Sequence, residues 1–178
     1  MLFTHDTQDA LQMMASLVNT AGEPDELATL ADLDAFLTVW VFTGRVDRDE
    51  AELAALRRLR ARLAGFFDVD EEGLADGVNA LLREGRALPQ VVRHDQWNWH
   101  LHATDDDRPL ATRMAVEVAM ALVDLLRAER FDRLRRCEAP DCDKVLVDLS
   151  RNRSRRFHST ACGNRVAAAA YRARRADS

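Results

Sequence analysis

Apolar residues recur along most of this chain at intervals of three and four, the period of a helix that buries one face. Leu11, Met14, Leu17 and Val18 make the first such run and predict an amphipathic helix over about 7–20 with an acidic start. Gly22-Glu-Pro24-Asp breaks it, and Pro24 suits the opening of the next helical segment. Leu27, Leu30, Leu33, Phe36, Leu37 and Trp40 then predict one or two helices ending before Gly44. Asp47 is placed to cap a helix over 48–65, with Leu53, Leu56, Leu59 and Leu63 inward and an arginine face outward. A fourth helix, about 70–84, is expected to stop at Gly85.

The period then changes. Val91-Val92-Arg93-His94 and Trp97-Asn98-Trp99-His100-Leu101-His102 are β-branched and aromatic, with Asp95-Gln96 as a short turn between them. They predict a β-hairpin near 88–103. Alternation puts Trp97, Trp99 and Leu101 on one face of the second strand, and Asn98, His100 and His102 on the other. His94, His100 and His102 offer either a metal or anion site or, as the commoner arrangement, the wet face of a half-buried sheet. Asp105-Asp106-Asp107 follows as an acidic turn placed to cap a helix from about Pro109. Leu110, Met114, Val118, Leu122, Leu125 and Leu126 give that helix the longest clean stripe in the chain, across 110–130.

No window is uniformly apolar over the length of a membrane span. The start, Met1-Leu-Phe-Thr-His-Asp, has no basic n-region, so a cytoplasmic protein is expected. Charge changes the picture more. The net charge of −5 hides a split, because residues 130–178 hold 12 Arg and 1 Lys against 6 acids, while 1–129 hold 12 Arg against 24 acids. An acidic body with a basic end is the asymmetry expected when that end meets a polyanion.

All 3 cysteines lie in this basic end. Cys137 and Cys142 flank a Pro-containing turn that suits a metal knuckle, and His158 and Cys162 are spaced to share one side of a helix starting near Ser159. Together they form a Cys3His set, a known closed tetrahedral zinc site, and one structural Zn2+ is expected. Three other readings compete. A disulfide plus a spare thiol fits poorly in an intracellular chain, burial as apolar residues fits poorly among so many charges, and a Cys–His catalytic pair remains open.

The same residues carry a family resemblance. Cys137-x4-Cys142, Val147-Asp148-Leu149-Ser150, Arg155-Arg156-Phe157 and Cys162-Gly163-Asn164-Arg165 resemble the CGNR zinc finger, which in that family closes a chain beginning with an ABATE domain. Leu17-Val18-Asn19-Thr20 and the order of elements extend the resemblance to the N-terminal part. It implies a stress-response transcription regulator. The chain departs from the family pattern at His158, where Cys is typical, at Phe157, where Trp is commoner, and at Ala167, where a basic residue often stands.

The expected fold is mainly α with a small β-hairpin: a helical N-terminal domain over 1–130 and a treble-clef-like zinc finger over 131–178. Within the finger we expect a knuckle at Cys137–Cys142, a hairpin around Val145–Phe157, and a basic helix over about 159–174 with Val166 and Ala170 on its packed side and Tyr171 nearby. Arg151, Arg153, Arg155 and Arg156 crowd the connector, and Asn164, Arg165, Arg172, Arg174 and Arg175 decorate the helix. A basic helix flanked by a basic loop can enter a DNA major groove while the loop grips phosphates, and Arg165 is the candidate for a base edge. The expected function is a zinc-dependent, non-enzymatic DNA-binding regulator whose body senses a small-molecule effector or forms a homodimer. The alternative is a zinc-stapled module binding an acidic protein or RNA.

Overall fold

The first apolar run folds as α1 (His5–Asn19), which buries Leu11, Met14, Leu17 and Val18 as its spacing requires. In this computed structural model, which describes residues 3–93 and 99–176, the chain divides into two compact units, Met1–Phe131 and Asp132–Ser178. The first unit continues with α2 (Leu30–Val39), α3 (Glu50–Ala64), α4 (Glu71–Gly85), β1 (Gln90–Val92), β2 (His100–His102) and α5 (Leu110–Arg127).

The long stripe of α5 makes it the hub, packed on α1, α3 and α4. Leu110, Met114, Val118, Leu122 and Leu125 are fully buried there, each leucine worth about 1.5–3 kcal/mol of burial. The approach of α4 to α5 is close because Gly85 has no side chain: a Cβ there would sit 2.2 Å from Cγ2 of Val116.

Element boundaries differ from expectation where local polar groups compete. Asp49, not Asp47, caps α3 by accepting the Glu52 N–H at 2.8 Å. The Asp47 carboxylate is occupied by Arg45 at 2.7 Å, and Glu52 reaches back to the Arg48 N–H at 2.8 Å. Pro24 opens no helix; Thr29 and Asp32 form a reciprocal capping box that starts α2. Gly85 stays inside α4, which ends instead at Arg86 in the left-handed conformation. Asp105–Asp107 provide no cap for α5, whose N-cap residue is Pro109.

The hairpin is present with a different register. Val91 pairs with Leu101 and Val92 with His100, one residue away from the pairing that a two-residue Asp95-Gln96 turn would enforce. His94, Asp95, Gln96, Trp97 and Asn98 lie outside the described residues. The alternation holds, but the half-buried and the wet face are the reverse of the expected ones. Trp99, Leu101 and Val91 are exposed, whereas His100 and His102 are half-buried.

The second unit contains β3 (Leu134–Arg136), β4 (Val145–Val147) and α6 (Thr160–Ala176). The expected hairpin over Val145–Phe157 is absent. β4 pairs backwards with β3, Leu134 opposite Val147 and Arg136 opposite Val145, because the Arg-rich stretch after β4 has no apolar alternation with which to build a strand. The architecture is mainly α with two small antiparallel strand pairs. Among the described residues, no helix is long and apolar enough to cross a membrane.

Candidate metal centre and nucleic-acid surface

Pairing of β3 with β4 brings the ends of a short loop together, and the two knuckle cysteines lie on that loop. Cys137 follows β3 and is fixed by its N–H donating to the Lys144 carbonyl at 2.9 Å. Asp141 adopts φ 60° immediately before Cys142, a left-handed conformation that aspartate tolerates better than most residues. The loop therefore folds back, placing both sulfurs on one side.

After β4 the chain is organised by Asp148, which is fully buried. Its carboxylate accepts from the Ser150 N–H at 2.9 Å, the Ser150 hydroxyl at 2.5 Å and the Arg155 N–H at 2.9 Å. Burial alone would raise this carboxyl, but those donors and the nearby Arg135 hold it below the usual carboxylate range. Arg133, also buried, donates to the carbonyls of Asp148 and Ser150. Glu138 N–H to Arg156 carbonyl, 2.9 Å, closes the connector onto the knuckle.

The connector delivers His158 to the start of α6. Ser159 Oγ accepts the Cys162 N–H at 3.2 Å and so caps the helix, fixing Cys162 in its first turn. Phe157 packs on the small cluster of Cys137, Ala139 and Cys162 together with Val166. Gly163 permits this, since a Cβ there would fall 3.2 Å from the Phe157 ring.

The ligand atoms of Cys137, Cys142, His158 and Cys162 all lie within 4.8 Å of one another. Zinc–ligand bonds of about 2.3 Å to sulfur and 2.0–2.1 Å to nitrogen imply tetrahedron edges of about 3.8 Å (S–S) and 3.5 Å (S–N). The Cys142 and Cys162 sulfurs are 3.7 Å apart, and Cys142 Sγ is 3.5 Å from Nδ1 of His158. The set fits a single structural zinc ion, and Nδ1 is the nitrogen directed at the sulfurs. The thiols are already unequal. Burial pushes the Cys137 thiol up, but hydrogen bonds from His158 and the backbone outweigh it and bring the thiol down to about 6. Burial and the neighbouring sulfurs raise Cys142. With three thiolates the zinc centre carries about one negative charge, and four protein ligands leave no open position.

The predicted nucleic-acid residues divide into two groups. In the connector, Arg155 donates to the Phe157 and His158 carbonyls, Arg156 pairs with Glu138 at 2.6 Å, and Arg153 pairs with Asp132 at 2.9 Å. Arg165, the candidate base reader, turns back to Pro140 O at 3.4 Å and Cys162 Sγ at 3.6 Å. The guanidinium of Arg175 lies over the Tyr171 ring. Arg151, Asn164 and Arg172 have no side-chain hydrogen bond or ion pair among the described residues, and all nine side chains, Arg174 included, are exposed. The packed side of α6 is shorter than expected. Val166 is half-buried, but Ala170 is exposed and Tyr171 is 54% exposed, since the small cluster reaches only the first turns of the helix.

Of the three histidines, His100 and His102 stand with their Nε2 atoms 3.1 Å apart, while His94 lies outside the described residues. Among the described residues, the Cys3His set is the one group of His, Cys, Asp and Glu close enough to hold a metal. Arg133 and Arg135 escaped sequence reasoning, which grouped them with a general basic surplus; the hydrophobic neighbours of Arg133 were the available signal.

Residues 133–175 match the family of the CGNR zinc finger. Residues 12–129 match the ABATE family, whose description reads "Putative stress-induced transcription regulator". No curated protein matches the chain.

Proposed function

We propose that this chain, which belongs to the ABATE family and carries a CGNR zinc finger, is a zinc-dependent DNA-binding regulator of the cytoplasm. The observation that carries the reading is a metal-ordered unit whose connector and α6 arginines are all solvent-exposed. Every side chain from Ala167 to Arg175 is exposed, and the connector backbone is held by Asp148. Zinc gives the unit a fixed shape, the connector arginines grip phosphates, and the outer face of α6 lies in the major groove. Arg165 is placed better to offset the negative zinc–thiolate charge than to read a base, so Asn164 and Arg172 are the helix residues free to contact DNA. The N-terminal unit senses an effector or mediates dimerisation. A closed four-ligand site supplies no Lewis acid for catalysis, so the protein acts by binding.

The inward hydrogen bonds of Arg153, Arg155 and Arg156 favour a second reading, a zinc staple that presents a basic surface to an acidic protein. Anisotropy of a labelled duplex pool across a salt series separates the two. Steeply salt-dependent binding that vanishes on chelation is expected. Absence of binding at low salt leaves the staple as the function.

A further inference from the structure

The helical unit has a half-open cavity of about 480 Å3, outside anything the zinc finger uses. This volume lies in the range that takes a small organic molecule. Met13, Trp40, Phe42 and Met120 contribute its apolar walls. Trp40 is held in place by its indole N–H donating to Ser16 Oγ at 3.1 Å, and Gly44, at φ +80°, brings the chain after Phe42 against Asp106 without room for a Cβ.

The polar lining is lopsided. Asp6, Asp9, Asp106, Glu117 and Asp124 face one arginine, Arg113, and two histidines, His100 and His102. The guanidinium of Arg113 is buried and its donors are turned to the carbonyls of Arg108, Thr43 and Arg45, so its charge acts on the cavity at a distance and it offers a ligand few donors. Asp124 accepts the Thr7 hydroxyl at 2.8 Å, and Asp9 pairs with His5 at 2.8 Å. The Glu117 carboxylate accepts no hydrogen bond among the described residues. It projects from the middle of α5, between Val116 and Val118, both buried. Burial pushes its carboxyl up to about 7, Arg113 opposing and Asp106 and Asp6 adding. A carboxylate without a hydrogen-bond partner, only partly offset by the charge of Arg113, is costly to keep there unless an occupant compensates it further.

We propose that this cavity binds an organic cation with an apolar body, its charge set against Glu117 and its body against Trp40, Phe42 and Met120. An anion is disfavoured, since the acids of the lining outnumber Arg113 and the two histidines together. A bare metal ion lacks ligands, since among the described residues no metal-holding group occurs in this unit. An aromatic wall beside a carboxylate recognises cations through both charge and the ring quadrupole. The proposal rests on reading the N-terminal unit as the sensor and names the class of effector.

Tetraphenylphosphonium and tetraphenylborate, nearly equal in size and opposite in charge, test it by calorimetric titration of the zinc-loaded full chain. Saturable one-to-one binding of tetraphenylphosphonium is expected, with tetraphenylborate weaker by at least about tenfold. Glu117→Gln should weaken the phosphonium by about tenfold, and Asp6→Asn, which removes a second carboxylate of the lining, by less. Equal affinity for the two ions, or unchanged phosphonium affinity in both variants, overturns the proposal. The titration contains no DNA, so failure of duplex binding leaves it standing. Conversely, phosphonium binding that leaves duplex affinity unchanged removes the sensory link and retains the site.

Discussion

In the N-terminal unit Leu56, Leu63, Leu74, Leu110 and Leu122 are fully buried. In the C-terminal unit the enclosed side chains are Cys137, Ala139 and Cys162, the three residues of β4, and two charged groups, Arg133 and Asp148. The first unit has enough apolar surface to order itself. The second is too small for that and relies on four metal ligands and a buried hydrogen-bond network. The difference bears on function. A unit held by an internal metal can leave almost all of α6 exposed for a partner, whereas a unit held by a packed core can tolerate a cavity holding a carboxylate without a hydrogen-bond partner.

The largest expected effect breaks the second unit alone. Chelation, or His158→Ala, should remove stoichiometric zinc and abolish hydrogen-exchange protection across 134–165, since structural zinc contributes about 10–16 kcal/mol to such units. Protection in α1 and α5 should persist. One-to-one zinc retained by His158→Ala, read by metal analysis, would remove His158 from the ligand set.

Leu122→Ala makes the reciprocal test. It empties a fully buried position on α5 and should cost about 2–5 kcal/mol in denaturant unfolding. Zinc content should remain at one ion per chain. A smaller effect is expected for Asp148→Ala, which strands the Ser150 and Arg155 donors at about 1–3 kcal/mol. It should appear as weaker zinc retention against a competing chelator, because the connector that delivers His158 loosens. Unaltered retention would mean that Arg133 alone holds the connector.

What was legible in the sequence follows the range of the interactions. The stripes of α1, α3 and α5 need only local spacing, so Leu11 to Val18 and Leu110 to Leu125 announce their buried faces. The gathering of Cys137, Cys142, His158 and Cys162 is almost as local, because a knuckle and a helix start are both short-range devices. Choices between near-equals were not legible. Asp47 and Asp49 both suit a cap, and only Arg45 and Glu52 decide between them. Which face of the hairpin turns inward was not legible either: His100 and His102, rather than Trp99 and Leu101, are the half-buried ones. The partner of β4 lies upstream in Leu134-Arg-Arg, which reads as basic tail rather than strand. The inward turn of Arg165 to Cys162 required knowing where the sulfur sits. Glu117 did leave a mark, an acid between the buried Val116 and Val118 of α5, but the cavity beside it depends on segments far apart in sequence.

Glu117→Gln gives the smallest effect and the most discriminating one, because its sign depends on pH. The group's folded value is raised from 4.5 to about 7, so the folded chain binds the extra proton more tightly than the unfolded chain does. The associated stability is fully present below about pH 4.5 and is lost as pH rises through about 7. The glutamine variant never ionises and escapes that loss. Thermal melts should therefore coincide near pH 4.5, with the variant more stable at pH 8. The full shift corresponds to about 3 kcal/mol, but the carboxylate faces the cavity rather than packed hydrocarbon, so about 1 kcal/mol is expected. The groups around it, Arg113, Asp106, Asp6, Asp9, Asp124, His100 and His102, are unchanged by the substitution. A variant that is less stable at pH 8 would show that Glu117 serves the fold, and that its place in the chamber is not a cost offset by a bound cation.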